Sequence, residues 1–253
     1  MNITYNGLNL NDTINYWVED LPHEDVAKPE INLQKIARTN RSILLKKGYG
    51  IKTIKVTVIV EDSTVAAMDS RMDDFKETIE SSEKNLDVEY AGGTRRYVAT
   101  GYIENIDRRT RWARVQLRLE CYRAFGEDTA ETTESFAAKT TSPYTDDIEI
   151  AGNAPATPDI TITINSFTGA ADRFMQIKNT VTGEYIKVTK NDWVASDIIQ
   201  IYTAQAIVTV NGNITQYLGI MPVWNPGDND WEYTDDFTAR NVDIDFAYKK
   251  KWL

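Results

Sequence analysis

Residues 151–164 read AGNAPATPDITITI. Gly152, Asn153, Pro155 and Pro158 crowd turn residues into eight positions. Proline fixes φ and cannot donate to an interior sheet ladder, so this knot has to precede a strand and not lie within one. Strict alternation then begins: Ile160, Ile162 and Ile164 fall on one face, Thr161 and Thr163 on the other. That period of two predicts a half-buried strand. A turn-rich start to so regular a strand, past the middle of a 253-residue chain, opens a second all-β domain.

Downstream of it the same grammar repeats. Short strand segments are expected at Met175–Ile177, Glu184–Val188, Asp197–Tyr202, Ala206–Val210 and Val242–Tyr248. Turn signals separate them at Thr182-Gly183, Lys190-Asn191-Asp192 and Asn211-Gly212-Asn213. Strands this short and evenly spaced predict a sandwich or jelly roll over 149–253.

Upstream, Gly126 to Ile148 is rich in Thr, Ser and acids and poor in large aliphatics, and reads as a linker or extended crossover arm over 126–148. The first 125 residues form another block. Short β-like pieces fall at Ile3–Tyr5 and Ile14–Val18. In IKTIKVTVIVE, Ile54, Val56, Val58 and Val60 share one face; in RWARVQLRLEC, Ala113, Val115, Leu117, Leu119 and Cys121 do. Between them, Val65, Met68, Met72, Phe75 and Ile79 recur at helical spacing, which predicts one helix over about 64–81 with Ser63 or Thr64 as its cap. Ala91-Gly92-Gly93-Thr94 marks a hairpin. This block is expected to be a β-sandwich with a helix laid against it.

Composition narrows the function. Apolar residues make up 42% and charged ones 26%, ordinary for a globular protein, and no apolar run approaches the ~18 residues of a membrane span. No secretory signal is visible at the amino terminus, and Cys121 is the single cysteine, so the expectation is synthesis in a reducing cytosol. The net charge of −10 is unevenly spread: residues 1–125 hold 19 acidic and 19 basic side chains, residues 126–253 hold 19 and 9. That asymmetry argues against wrapping nucleic acid, which needs a basic face.

The usual catalytic constellations are missing. His23, in the acidic stretch DLPHED, is the lone histidine and is read as surface decoration. No G-x-S-x-G, H-E-x-x-H or phosphate-binding glycine loop occurs. We therefore expect no enzyme, no metal site and no cofactor. Trp224, Trp231 and Tyr233, in WNPGDNDWEY, either pack inward beside an Asn-Pro-Gly turn or stack on sugars; the second reading makes the chain a carbohydrate-binding module or adhesin. The arginines at 95, 96, 108, 109, 111, 114 and 118 are diluted by Glu104, Asp107 and Glu120, while the helix segment is acidic. Basic strand faces are thus expected to meet acidic helix faces, within one subunit or between neighbours. Arg114, Arg118, Asp73 and Asp74 are the subunit-contact candidates.

The succession GNAPATPDITITI, MQIKNTVTGEYIKV, DIIQIY, IVTVNGN, Asn225-Pro226-Gly227-Asp228-Asn229 and VDIDFAYKKKWL resembles the distal tail proteins of long, non-contractile-tailed phages. NRSILLKKGYGIKTIKVTVIVE, the amphipathic helix, LDVEYAGGTRRYVATGYIENI and VQLRLECYRAFG are similar to the family's amino-terminal domain. One departure is Tyr122-Arg123-Ala124-Phe125, where a proline would be expected. The resemblance implies a tail-tube-like β-sandwich with one helix, followed by a galectin-like β-sandwich. It implies a homohexameric ring, single or double, at the virion tail tip. That ring would join the tail tube protein to the tail-tip protein, in some members also carrying receptor-binding protein, with DNA passing through without specific binding.

Overall fold

The computed structural model describes residues 2–19, 23–24, 29–35, 42–169 and 173–253, with side chains described outside 23–24, 29–35 and 42–49. The chain divides into two compact units, Met1–Thr129 (with Leu253) and Ala130–Trp252.

The first unit is built on one antiparallel sheet. Its strand order is Leu8–Asn9, Ile3–Tyr5, Lys84–Tyr90, Gly93–Arg108, Trp112–Cys121, Lys52–Glu61 and Tyr16–Val18. Ala113 lies opposite Val60, Val115 opposite Val58, Leu117 opposite Val56 and Leu119 opposite Ile54. The predicted alternation therefore becomes a continuous apolar face. Ile3, Tyr5, Leu86 and Val88, from the far end of the sheet, enter the same core cluster, so the whole sheet buries one face around one interior. Strand Gly93–Arg108 serves both sides, and a bulge falls where its pairing passes from Asn105 to Ile103. Strands Pro29–Lys35 and Ser42–Tyr49 pair with each other as a separate hairpin.

The helix runs Val65–Ile79, and Thr64 Oγ1 accepts from the Ala67 amide at 3.2 Å, satisfying one of the orphan donors of the first turn. Met68, Met72, Phe75 and Ile79 are buried. Val65, expected on that stripe, is half exposed: it is the first helical residue, and the stripe covers the core only from Met68 onward. The helix end abuts the sheet at Gly101, where a Cβ would lie 2.3 Å from the Ile79 carbonyl oxygen. Strand Tyr16–Val18 starts later than the Ile14 expected. Asp12 Oδ1 accepts from the amides of Ile14, Asn15 and Tyr16, turning that stretch into a side-chain-capped loop with Ile14 exposed.

The second unit is a two-sheet sandwich. One sheet runs Thr132–Lys139, Ala239–Tyr248, Asp159–Thr168, Ile198–Tyr202, Ile207–Val210, Asn213–Ile214. The other runs Tyr144–Ile150, Gly227–Asp235, Arg173–Asn179, Tyr185–Lys190, Leu218–Gly219. Ile160, Ile162 and Ile164 are buried as expected, among a core that draws on both sheets. Each buried isoleucine contributes about 1.5–3 kcal/mol by leaving water.

The turn that precedes them is anchored, which explains its composition. Gly152 has φ +110, and a Cβ there would meet the Lys251 carbonyl oxygen at 2.3 Å. Ala156 exchanges backbone hydrogen bonds with Trp224, and Thr203 Oγ1 donates to the Pro158 carbonyl at 2.7 Å. Proline suits both flanking positions because neither needs an N–H.

The expectation of a linker over 126–148 is corrected. Thr132–Lys139 pairs with Ala239–Tyr248, and Tyr144–Ile150 pairs with Gly227–Asp235, so most of that stretch belongs to the sandwich. Both are edge strands with solvent on one face. Phe136, Ile148 and Ile150 suffice to attach them, while threonines and acids fill the wet side.

Candidate assembly surfaces

Arg114 and Arg118 lie on the outward face of strand Trp112–Cys121, because the alternate positions Ala113, Val115, Leu117 and Leu119 are committed to the core. Both are engaged within the chain. Arg114 pairs with Glu19; Arg118 lies 3.3 Å from Glu104 and 3.1 Å from Glu120, and its guanidinium sits 5.0 Å from the Tyr102 ring centre. Nearby, Arg96 binds Asp87 through two hydrogen bonds of 2.7 and 2.8 Å.

Asp73 and Asp74 are exposed on the helix, Asp73 at 3.6 Å from Lys76. The helix covers the inner face of the sheet, whereas Arg114 and Arg118 project from the outer one. One subunit therefore keeps the four candidates apart. The expected strand-to-helix charge contact does occur within the chain, but through Arg108 and Asp69.

Trp224, Trp231 and Tyr233 are corrected as a sugar platform. All three are fully buried. Trp231 meets Phe136 and Phe246 at ring distances of 5.0 Å and Tyr144 at 5.6 Å, and Trp224 meets Phe246 at 5.3 Å. Burial pushes the Tyr233 hydroxyl's pKa well up, with Asp235 adding to the shift. The alternation in GDNDWEYTD places Asn229, Trp231, Tyr233 and Asp235 inward and the acids Asp228 and Asp230 outward.

Three polar anchors escaped sequence reading. Buried Asn229 donates to the Asn225 and Gly227 carbonyls at 2.7 and 2.8 Å and accepts from the Asn225 amide, fixing the Asn-Pro-Gly turn. Asp197 accepts from Lys190, the Val194 amide and Asn211 at 2.9, 3.0 and 2.7 Å. Burial alone would raise its pKa, but these hydrogen bonds hold the carboxyl below its usual range. Arg240 grips buried Asp235, at 2.9 Å. For Asn229 and Asp235 the available signal was a polar side chain at an inward strand position, which demands a partner; Asp197 precedes its strand and offered none.

Among the described residues no group of three or more His, Cys, Asp or Glu side chains is placed to hold a metal ion. Cys121 is buried in the core. His23 sits in a two-residue strand against Lys52–Glu61, not in an open loop, and its side chain lies outside the described residues. No described helix is long and apolar enough to cross a membrane.

The family model described as siphovirus-type tail component, C-terminal domain, matches residues 151–252. The resemblance to siphophage distal tail proteins read from the sequence is thereby borne out. The crystal structure of the Dit protein of phage SPP1, described as a paradigm of hub adsorption apparatus in Gram-positive infecting phages, is similar in fold. It shows 15% identity, covers 100% of this chain and 99% of its own, and has a TM-score of 0.70. The activated, calcium-containing baseplate of phage P2 includes a chain at 9% identity covering 97% of this chain and 96% of its own, with a TM-score of 0.39. Among curated proteins no sequence relative is found. The mainly β architecture expected from the sequence is present in both units.

Proposed function

We propose that this tail component is the distal tail hub: a structural protein whose copies close into a hexameric ring around a DNA channel. One face would dock the tail tube protein and the other the tail-tip protein. The observation that carries the reading is the match of residues 151–252 to a tail-component domain, in a chain whose whole length follows the fold of the SPP1 Dit protein. The first unit is the ring former in this reading, and the second projects outward and meets whatever else the tail tip carries, receptor-binding protein included. Its place is the virion tail, after synthesis in the host cytoplasm.

Physical features support it. A ring arises when one heterologous contact repeats through a rotation that closes, which needs two different patches on one chain. The first unit offers such a pair in the Arg114/Arg118 sheet face and the Asp73/Asp74 helix face, on opposite sides of its sheet. Residues 1–125, which hold the ring former in this reading, carry 19 acidic and 19 basic side chains, so they bring no net positive charge to bind passing DNA. Negative-stain images of the purified chain, alone and with the tail-tip protein, test the reading. Six-fold rings with a central opening are expected; monomers in both preparations would overturn it.

A further inference from the structure

The chain's first two strands after the unit boundary occupy an unusual position. Thr132–Lys139 is the edge of one sheet and Tyr144–Ile150 the edge of the other, so a single continuous segment closes the same side of the sandwich twice. The family match begins just beyond it, at residue 151.

Electrostatics oppose its attachment. In register, Asp147 lies directly opposite Asp230 and Glu149 directly opposite Asp228, all four exposed on the outer face. Glu232 continues the row opposite Thr145, with Lys178 facing Glu232 from the next strand. Among the described residues no basic side chain forms an ion pair with Asp147, Glu149, Asp228 or Asp230. From the other sheet's edge comes Glu134, whose pKa is raised by burial first and then by Asp147 and Glu149. The segment's own Lys139 is turned to the Tyr144 ring, 4.4 Å away. Like charges directly opposed on a sheet are destabilising, about 0.2–1 kcal/mol per pair.

Apolar contacts hold it on. Ile148 and Ile150 are buried, Phe136 and Tyr144 cover Trp231, and Tyr248 donates from its hydroxyl to the Glu149 carbonyl at 2.8 Å.

We propose that residues 130–150 form a strap whose grip on the sandwich is set by ionic strength: loosened at low salt, tightened when the facing carboxylates are screened. Loosening uncovers the Trp231 ring and the backbone edges of Gly227–Asp235 and Ala239–Tyr248. The strap is a property of the second unit alone and stands or falls independently of ring formation.

Hydrogen exchange on the full chain, expressed as protection factors, tests it. At about pH 7.5 and low salt, amides of 145–150 should be less protected than those of 160–164. Their protection should rise about two- to tenfold on moving to about 0.5 M salt. Asp147→Asn with Asp230→Asn should give the same rise at neutral pH. Asp245→Asn, which removes a charge from the opposite sheet, should not. Uniform protection across both segments under every condition overturns the strap. So does a double variant without effect, or an Asp245→Asn effect of equal size.

Discussion

Asp197 is fully buried, yet its pKa lies below the usual carboxylate range, because three donors converge on it. Removing it strands Lys190 and Asn211, so Asp197→Ala should lower unfolding free energy by about 2–3 kcal/mol in urea titrations, discounted because Lys190 is partly solvated. Its pH sign follows from the depressed value. The stability it adds is present above the unfolded pKa near 3.8 and is lost as pH falls through the lower folded one. Glu134 and Asp159 run the other way: burial raises both, helped by neighbouring acids, so their folded forms gain stability as pH falls through the raised values. The melting temperature of the second unit should therefore hold or rise from neutral pH toward pH about 5, then collapse below about 4; a steady decline across the whole range would contradict these assignments. Gly101→Ala forces a Cβ into the Ile79 carbonyl and should cost about 1–3 kcal/mol by thermal denaturation, whereas Gly92→Ala, with open space around it, should change little. Trp231→Ala should cost about 3–5 kcal/mol, the signature of a core ring and not of a surface platform.

At the scale of elements, the strongly alternating strands were legible because their inward positions are unmixed: Ile54 to Val60, Ala113 to Cys121 and Ile160 to Ile164 are all buried. The helix was legible for the same reason at its own period. What hid was the pair of strands between 132 and 150. An edge strand needs only a few apolar anchors, and here they are Phe136, Ile148 and Ile150 among threonines and acids, a composition shared with true linkers. The inward turn of Trp224, Trp231 and Tyr233 was readable only as one of two options, because periodicity gives two faces without saying which is wet. The partners of Asp197, Asn229 and Asp235 come from loops and residues up to 14 positions away and leave no local pattern.

For the whole molecule, the contact candidates make a reciprocal test of the ring. Arg114→Glu with Arg118→Glu should reduce assembly on sizing columns, as should Asp73→Lys with Asp74→Lys; combining all four should restore part of it, since only a contact between copies can bring these faces together. Unchanged oligomer size in the arginine pair would assign Arg114 and Arg118 solely to Glu19, Glu104 and Glu120 of their own chain. The sheet that carries them also has a mechanical side. Strands Lys52–Glu61 and Trp112–Cys121 are paired without interruption from Glu61–Trp112 to Lys52–Cys121. A tug along their length strains that entire ladder in shear, all rungs together, whereas a sideways pull would unzip it rung by rung.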